Sequence, residues 1–242
     1  MIDTLKLFSF GSDGWSIMLL EGLWVTIQVA LLSFMVAIFI GLLGAAGKNS
    51  HHSVLQKFWY GYSTIVRGLP EVLVVFIVFF GGTAFIRYIG SAYPDFFLHD
   101  ISAFVASVIA LGCLSGAYAI EVFRGAFQAI PQGQIEAARA LGMGRALIFR
   151  RIELPQMIKY ALPGLSNQWL VMLKDTALVS MIGLDDLVRK GTIASGSTLQ
   201  PFVFYSAVAV LYLVLTFVSM GGISLINRYA QRGEINSGNH WI

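Results

Sequence analysis

Charged side chains are scarce in this sequence. Only 12% of its 242 residues are Asp, Glu, Lys or Arg, whereas 57% are hydrophobic. Soluble domains carry roughly a quarter charged residues, so a chain of this composition has too few polar groups to cover a water-soluble surface. The deficit is concentrated in long uncharged runs, which are typical of membrane spans. The sequence therefore predicts a single domain that lies in a lipid bilayer.

Cysteine and the common catalytic motifs are also nearly absent. The one cysteine, Cys113, lies in an apolar run, where it has no partner for an internal disulfide. The four histidines show no metal-ligand spacing with supporting ligands, so no metal site is predicted. Neither a Gly-x4-Gly-Lys-Ser/Thr phosphate loop nor a Gly-x-Ser-x-Gly elbow occurs. We therefore expect no catalytic residue and no cofactor on this chain, which makes it a non-enzyme.

The formal net charge of +3 does not indicate nucleic-acid binding, because the basic residues are scattered in short loops and form no continuous patch. Their distribution instead predicts an orientation. The segments 47–71, 121–160 and 227–242 together hold eleven Lys and Arg residues, and the alternate segments hold four. Because cytoplasmic loops of membrane proteins are enriched in Lys and Arg, we expect the N-terminus outside and the C-terminus in the cytoplasm.

Five apolar runs are long enough, or nearly so, to cross a bilayer. They cover residues 23–46, 72–86, 101–120, 160–184 and 202–226. The second is short, and it starts either at Pro70 or, as a longer helix, near Phe58. The fourth is interrupted by Lys174 and Asp175. This pattern predicts an all-α membrane bundle over about 20–226, a cytoplasmic loop at 121–160 and a cytoplasmic tail at 227–242.

The cytoplasmic loop at 121–160 is far longer than the usual connection between helices, so we expect it to be structured. Good helix formers follow Pro131 and Gly133, and they predict a short surface helix within 135–145. Small and apolar residues there are expected to form one flat patch that lets a partner backbone approach closely: Ala137, Ala138, Leu141 and Met143. The loop is therefore interpreted as a docking element.

The same loop carries a motif: Glu136-Ala137-Ala138, three residues, Gly142, nine residues, Ile152, one residue, then Leu154-Pro155. This resembles the EAA loop of ABC importer permeases at every fixed position. The resemblance implies a five-transmembrane-helix type I ABC importer permease fold. It also implies that these residues form the coupling helix and its supports, seated in a cleft of a cytoplasmic ATPase.

The resemblance extends over about residues 20–230. Ala117-Tyr118, Glu121, Arg124-Gly125 and 131–134 precede the loop as they do in polar amino-acid permeases, and Arg67-Gly68-Leu69-Pro70 and 174–178 match further segments. The chain is similar to the Q-type subunits of histidine, arginine, lysine, ornithine and opine uptake systems. These imply a bacterial inner-membrane location, a second homologous permease in a heterodimer, and two ATPases that hold the ATP and Mg. They also imply an extracytoplasmic solute-binding protein and a polar or basic amino acid as cargo.

Polar residues within the spans are candidates for the substrate pathway: Asn167, Gln168, Lys174, Asp175 and Thr176. Ionisable residues inside a span usually face a partner or a watery cavity. Two other readings stay open, namely that Lys174 and Asp175 lie at the membrane surface, and that Asn167 and Gln168 join helices. Arg67, Glu121 and Arg124 are candidates for a gate or interface, although Glu121 and Arg124 also fit a structural ion pair.

Two other classes of protein remain as alternatives. A secondary transporter driven by an ion gradient is expected to contain inverted repeats of similar halves, and five spans do not divide in that way. A membrane scaffold without a transport role leaves Lys174 and Asp175 without an explanation.

Overall fold

The computed structural model describes residues 7–10, 14–50, 52–92 and 102–230, and within these every regular element is a helix. Residues 231–242 of the predicted tail and Ile101 of the predicted third run lie outside the described residues. The α-helices are α1 Ser16–Lys48, α2 Ser53–Gly68, α3 Glu71–Phe76, α4 Gly82–Ala92, α5 Ala103–Gln128, α6 Gln132–Ala140, α7 Arg145–Ile148, α8 Leu154–Asp175, α9 Leu187–Thr198 and α10 Pro201–Ala230. Two π-helical segments, Ile77–Gly81 and Phe149–Glu153, and a 3-10 segment, Thr176–Ile182, complete the order.

Four of the described helical stretches are long and apolar enough to cross a membrane: α1, Glu71–Tyr88, α5 and α10. The predicted fourth span corresponds to α8, which has 22 residues. At 1.5 Å per residue its length of about 33 Å suffices for a bilayer. Its hydropathy is lower than that of the other four because it carries Asn167, Gln168, Lys174 and Asp175.

The helix of the third span continues into the predicted loop at 121–160. The third span, α5, continues to Gln128, so Glu121 and Arg124 lie within a helix. The helix continues because its buried face continues, with Ala119, Phe123 and Ala126 packed in one cluster with Ile135 and Ala138. Apolar residues at intervals of three and four extend a helical stripe past the first charged residue.

The start of the second span is resolved as two separate helices. α2 ends at Gly68. Leu69 and Pro70 are extended, and a new helix, α3, begins at Glu71. The N-terminal part of α2 exposes an apolar stripe that includes Val54 and Phe58. Its C-terminal part packs into the bundle, because Val66 and Leu69 contact the main core cluster.

The core of the bundle is the contact between α1 and α5. Gly112 and Gly116 on α5 face Val36 and Ile40 on α1, so that the side chains of α1 enter spaces that a Cβ on α5 would fill. Small residues at such positions let two helices approach closely in a membrane, where packing rather than the hydrophobic effect holds helices together. This contact fixes the frame on which α2, α6 and α8 are placed.

Candidate coupling and translocation sites

The helix α6 lies along the C-terminal end of α5 and turns one face to it. Ile135 and Ala138 are buried in a cluster with Phe123, Ala126 and Ile130 of the same chain. The predicted flat patch is therefore divided, because a helix places residues three and four apart on the same side. Ala138 and the half-buried Met143 face the bundle. Glu136, Ala137 and Leu141 face outward, and the Leu141 side chain is 82% exposed.

The C-terminus of α6 is closed by a glycine turn. Gly142 has a φ of +77°. Its N–H donates to the carbonyl of Arg139 at 2.9 Å, and the N–H of Met143 donates to the carbonyl of Ala138 at 3.1 Å. These two bonds are those of a Schellman motif, in which the left-handed residue is normally glycine. Gly142 is thus required by the backbone, since nothing lies within 4 Å of the place of a Cβ.

The last three residues of the predicted coupling motif lie where the π-helical segment Phe149–Glu153 joins α8. Ile152 lies in the π-helical segment, and Leu154 begins α8; both pack on the cluster that holds α6. Pro155 is the second residue of α8 and follows directly after the π-helical segment. The motif therefore combines an outward-facing surface, a glycine turn and the residues that anchor both to the bundle.

The second and fourth spans are both interrupted, and their interruptions lie near each other. The second is broken at Leu69–Pro70 before Glu71, and the fourth changes from α8 to a 3-10 segment after Asp175. Val75, four residues after Glu71, and Val179, four residues after Asp175, are buried in the same core cluster. Interrupted helices that meet within a bundle form the usual setting of a substrate site in transporters.

The charged residues at this junction have no counter-ion in the described part of the chain. The side chain of Lys174 is exposed, Glu71 is half-buried and Asp175 is mostly buried, and none of them forms an ion pair with a described residue. Uncompensated charges within a span indicate a functional site or a partner chain.

The other predicted pathway residues divide between surface and core. Asn167 is exposed on α8, whereas Gln168 is only 8% exposed. Thr176 is fully buried, donates to the carbonyl of Leu173 at 2.6 Å and lies 3.3 Å from the hydroxyl of Tyr212. In this conformation Thr176 therefore joins helices, and only Asn167 and Lys174 offer exposed polar groups.

The three predicted gate residues come together near the C-terminal end of α5. The carboxylate of Glu121 accepts from Arg124 Nε at 2.9 Å and from Arg67 Nη2 at 3.4 Å. A third cation that sequence reasoning missed completes the cluster. Lys48 donates to Glu121 and, at 2.6 Å, to Ser63 Oγ, and its side chain is only 1% exposed. The sequence showed Lys48 only as a basic residue after an apolar run, a pattern that predicts orientation and not burial.

Residues 25–231 match the model of one protein family, described as the binding-protein-dependent transport system inner membrane component. The chain belongs to this family. It is a multi-pass inner-membrane permease subunit, and its family is one of transport components.

Two curated relatives match this permease over most of its length. The octopine transport system permease protein OccQ of Rhizobium radiobacter is 43% identical, over 96% of this chain and 98% of the relative. The histidine/lysine/arginine/ornithine transport system permease protein HisQ of Escherichia coli (strain K12) is 43% identical, over 89% of this chain and 94% of the relative. The predicted membership of the amino-acid and opine permeases is therefore confirmed.

A solved structure agrees with this fold. A chain of the crystal structure of an amino acid ABC transporter with histidines superposes with a TM-score of 0.77 and 33% identity, over 89% of this permease and 95% of that chain. The predicted fold class, an all-α importer permease, is confirmed.

Proposed function

We propose that this permease translocates a polar or basic amino acid, or an opine, into the cytoplasm with energy from a separate ATPase. The observation that carries the proposal is α6, a short helix that projects Glu136, Ala137 and Leu141 outward while a glycine turn and buried Ala138 fix it to the bundle. Its sequence is that of the EAA motif. A rigid exposed helix with small residues on its surface fits a cleft in a partner protein.

Two ATPase subunits, which hold the ATP and Mg, bind these helices in the proposed assembly. A second homologous permease in a heterodimer encloses the route, and an extracytoplasmic solute-binding protein delivers the cargo. Closure of the ATPase pair displaces the coupling helices and moves the permeases between inward-open and outward-open states. Each state is favoured by its own set of contacts, as in other hinged and rocking transitions.

The cargo class follows from the charges at the junction of the two interrupted spans. Lys174 offers an ammonium group for a carboxylate, while Glu71 and Asp175 offer carboxylates for an amino or guanidinium group. Amino acids and opines carry both kinds of charge. The names of the relatives, which include octopine and histidine/lysine/arginine/ornithine systems, support the same class.

The proposed orientation has the N-terminus outside and the C-terminus in the cytoplasm. It places α6, Arg139, Arg145, Arg150 and Arg151 on the side of the ATPase, in keeping with the excess of basic residues in inner loops. Accessibility of a single cysteine introduced at Gln134 to an impermeant thiol reagent tests this orientation. Labelling from the outside of intact cells contradicts it.

The decisive experiment is purification of the tagged permease from its own host, followed by uptake in proteoliposomes. We expect an ATPase subunit in the detergent extract and ATP-dependent uptake of at least one of labelled histidine, arginine, lysine or octopine when the binding protein is present. Competition among these compounds then ranks them. Uptake driven by a proton gradient without ATP supports a secondary transporter instead, and an absence of any uptake supports a scaffold.

A further inference from the structure

The cluster around Glu121 joins three helices at the inner end of the bundle. Lys48 is the last residue of α1, Arg67 lies in the last turn of α2, and Glu121 and Arg124 belong to α5. Three cations thus surround one carboxylate. Among the described residues Glu121 is the one acidic side chain paired with these cations, so loss of its charge leaves three like charges close together, which is unfavourable where water is scarce.

Lys48 is the best-fixed member of the cluster. Its ammonium group donates to Glu121 and to Ser63, and it lies 4.3 Å from the centre of the Tyr60 ring. Ser63 and Tyr60 both belong to α2. The buried Lys48 therefore connects α2 to α5, and its contacts satisfy the ammonium group without water.

Arg67 is the more loosely held member. Its side chain is 36% exposed, and its bond to Glu121 is 3.4 Å long. On α2 it lies about 160° around the helix from exposed Ile65, so it faces away from the apolar stripe. The residues that follow it are Gly68, Leu69 and Pro70, which interrupt the second span directly before Glu71.

The same end of α5 supports the coupling segment, by which we mean α6, α7 and the π-helical segment Phe149–Glu153. Phe123 and Ala126, two and five residues after Glu121, pack against Ile135 and Ala138 of α6. A displacement of α6 therefore acts on the part of α5 that carries Glu121. The cluster lies between the surface proposed for the ATPase and the junction proposed for the cargo.

We propose that Lys48 and Glu121 are positioning residues that clamp the C-terminal half of α2 to α5, so that movement of the coupling segment is transmitted to the interruption at Leu69–Pro70. Arg67 is the end of this linkage that lies next to the interruption. The inference rests on the proposed function, because it requires an ATPase that moves α6. It gives Lys48 a role that its position after an apolar run does not indicate.

The test follows the two ends of the linkage separately in the permease–ATPase complex. In a Cys113→Ser background, spin labels are placed at Leu147 in the coupling segment or at Leu73 in α3, each paired with a reference label at exposed Leu213 on α10. Distances are measured without nucleotide and after trapping with ATP and vanadate. This readout does not depend on the identity of the cargo.

In the unmodified complex we expect both distances to change on trapping. In the variants Glu121→Gln and Lys48→Met, we expect the distance between Leu147 and Leu213 to change as before. Most of the change in the distance between Leu73 and Leu213 is lost. The double exchange Lys48→Glu with Glu121→Lys restores part of it, because the pair is re-formed with opposite charges. Arg189→Gln, which removes an exposed ion pair with Asp185 at 3.2 Å elsewhere in the chain, is the matched control and leaves both changes intact.

A change at Leu73 that is as large in Glu121→Gln as in the unmodified complex overturns the inference while the proposed function stands. If no ATPase binds, or if Leu147 does not move, the proposed function fails and the inference falls with it. Should Lys48→Met fail to assemble, Arg67→Gln removes the most exposed cation of the cluster and is expected to reduce the change at Leu73 as well. In proteoliposomes, we expect the number of ATP molecules hydrolysed per cargo molecule to rise about fivefold or more in these variants. A purely structural defect instead lowers ATP hydrolysis and cargo uptake together.

Discussion

The indole ring of Trp59 on α2 occupies the space that a side chain on Gly47 of α1 would need. Gly44 contributes to the same notch, because a Cβ there would lie 2.9 Å from Cε3 of Trp59. The shape of this notch therefore holds α2 against the C-terminal end of α1. Lys48 adds a polar contact to α2 next to the notch. The cluster around Glu121 depends on this notch.

The notch predicts a position-specific effect of adding bulk. Gly47→Val forces Trp59 out of its place, and overpacking of this kind typically costs about 1–3 kcal/mol. We expect a lower melting temperature of the detergent-solubilised permease. Gly61→Val is the matched control, since Gly61 is also helical and has nothing within 4 Å of its missing Cβ. Equal melting temperatures of the two variants would argue against the notch.

The turn after α6 predicts that backbone conformation, and not size, decides which residue is tolerated at position 142. Gly142→Val places a β-branched residue at a φ of +77°, at a cost of about 1–2 kcal/mol or more, whereas Gly142→Asn is better tolerated because asparagine visits this region. We expect Gly142→Val to abolish ATP hydrolysis stimulated by the loaded binding protein, with membrane insertion unchanged. Gly142→Asn should retain a substantial part of the stimulation. Normal uptake by Gly142→Val counts against the docking role of α6.

The junction of the interrupted spans predicts that charge and not shape is needed at Asp175. Asp175→Asn and Glu71→Gln keep the side-chain volume and remove a carboxylate each. If these groups receive a cationic part of the cargo, uptake of arginine falls by more than uptake of a neutral amino acid. The measurement is initial uptake rate against concentration, with Asp185→Asn, an exposed carboxylate in the connection between the 3-10 segment and α9, as the control. An identical loss for charged and neutral cargo indicates a structural role.

The N-cap of α9 predicts a dependence of stability on pH. Burial raises the pKa of Asp186 to about 6, although hydrogen bonds from the N–H groups of Arg189 and Val188 act in the opposite direction. A carboxyl whose pKa is raised by folding contributes stability that is present below its unfolded pKa and is lost as the pH rises through the folded value. Asp186→Asn keeps an acceptor for the cap and removes this titration.

We therefore expect the melting temperature of Asp186→Asn, relative to the unmodified permease, to increase between pH 5 and pH 7.5. Asp186→Ala also removes the titration but loses the cap, so we expect it to be less stable than Asp186→Asn by about 1 kcal/mol at both pH values. A difference between Asp186→Asn and the unmodified permease that does not vary with pH would show that the carboxyl does not titrate in this range.

Much of the architecture was predictable from the sequence alone. Windows of uncharged residues located the four spans α1, Glu71–Tyr88, α5 and α10, because the energetics of a bilayer depend on the local sum of side-chain hydropathies. The motif from Glu136 to Pro155 located the coupling segment, and the pair Lys174-Asp175 marked the interruption of the fourth span to within a residue. Each of these properties is written in consecutive or regularly spaced residues.

Only the tertiary structure decided which side of each element is used. Ala138 was expected on the docking surface. It is buried instead, because it packs together with Ile135 against Phe123 and Ala126 of α5. Lys48 and Glu121 are 73 residues apart in the chain, and no local pattern relates them. Their contact arises because glycines on α1 and α5 let those helices pack closely and because Trp59 seats α2 beside them. The sequence by itself determined which segments are apolar enough to enter the membrane and which segment carries the motif, whereas the packing of the helices determined how that segment is connected to the membrane bundle.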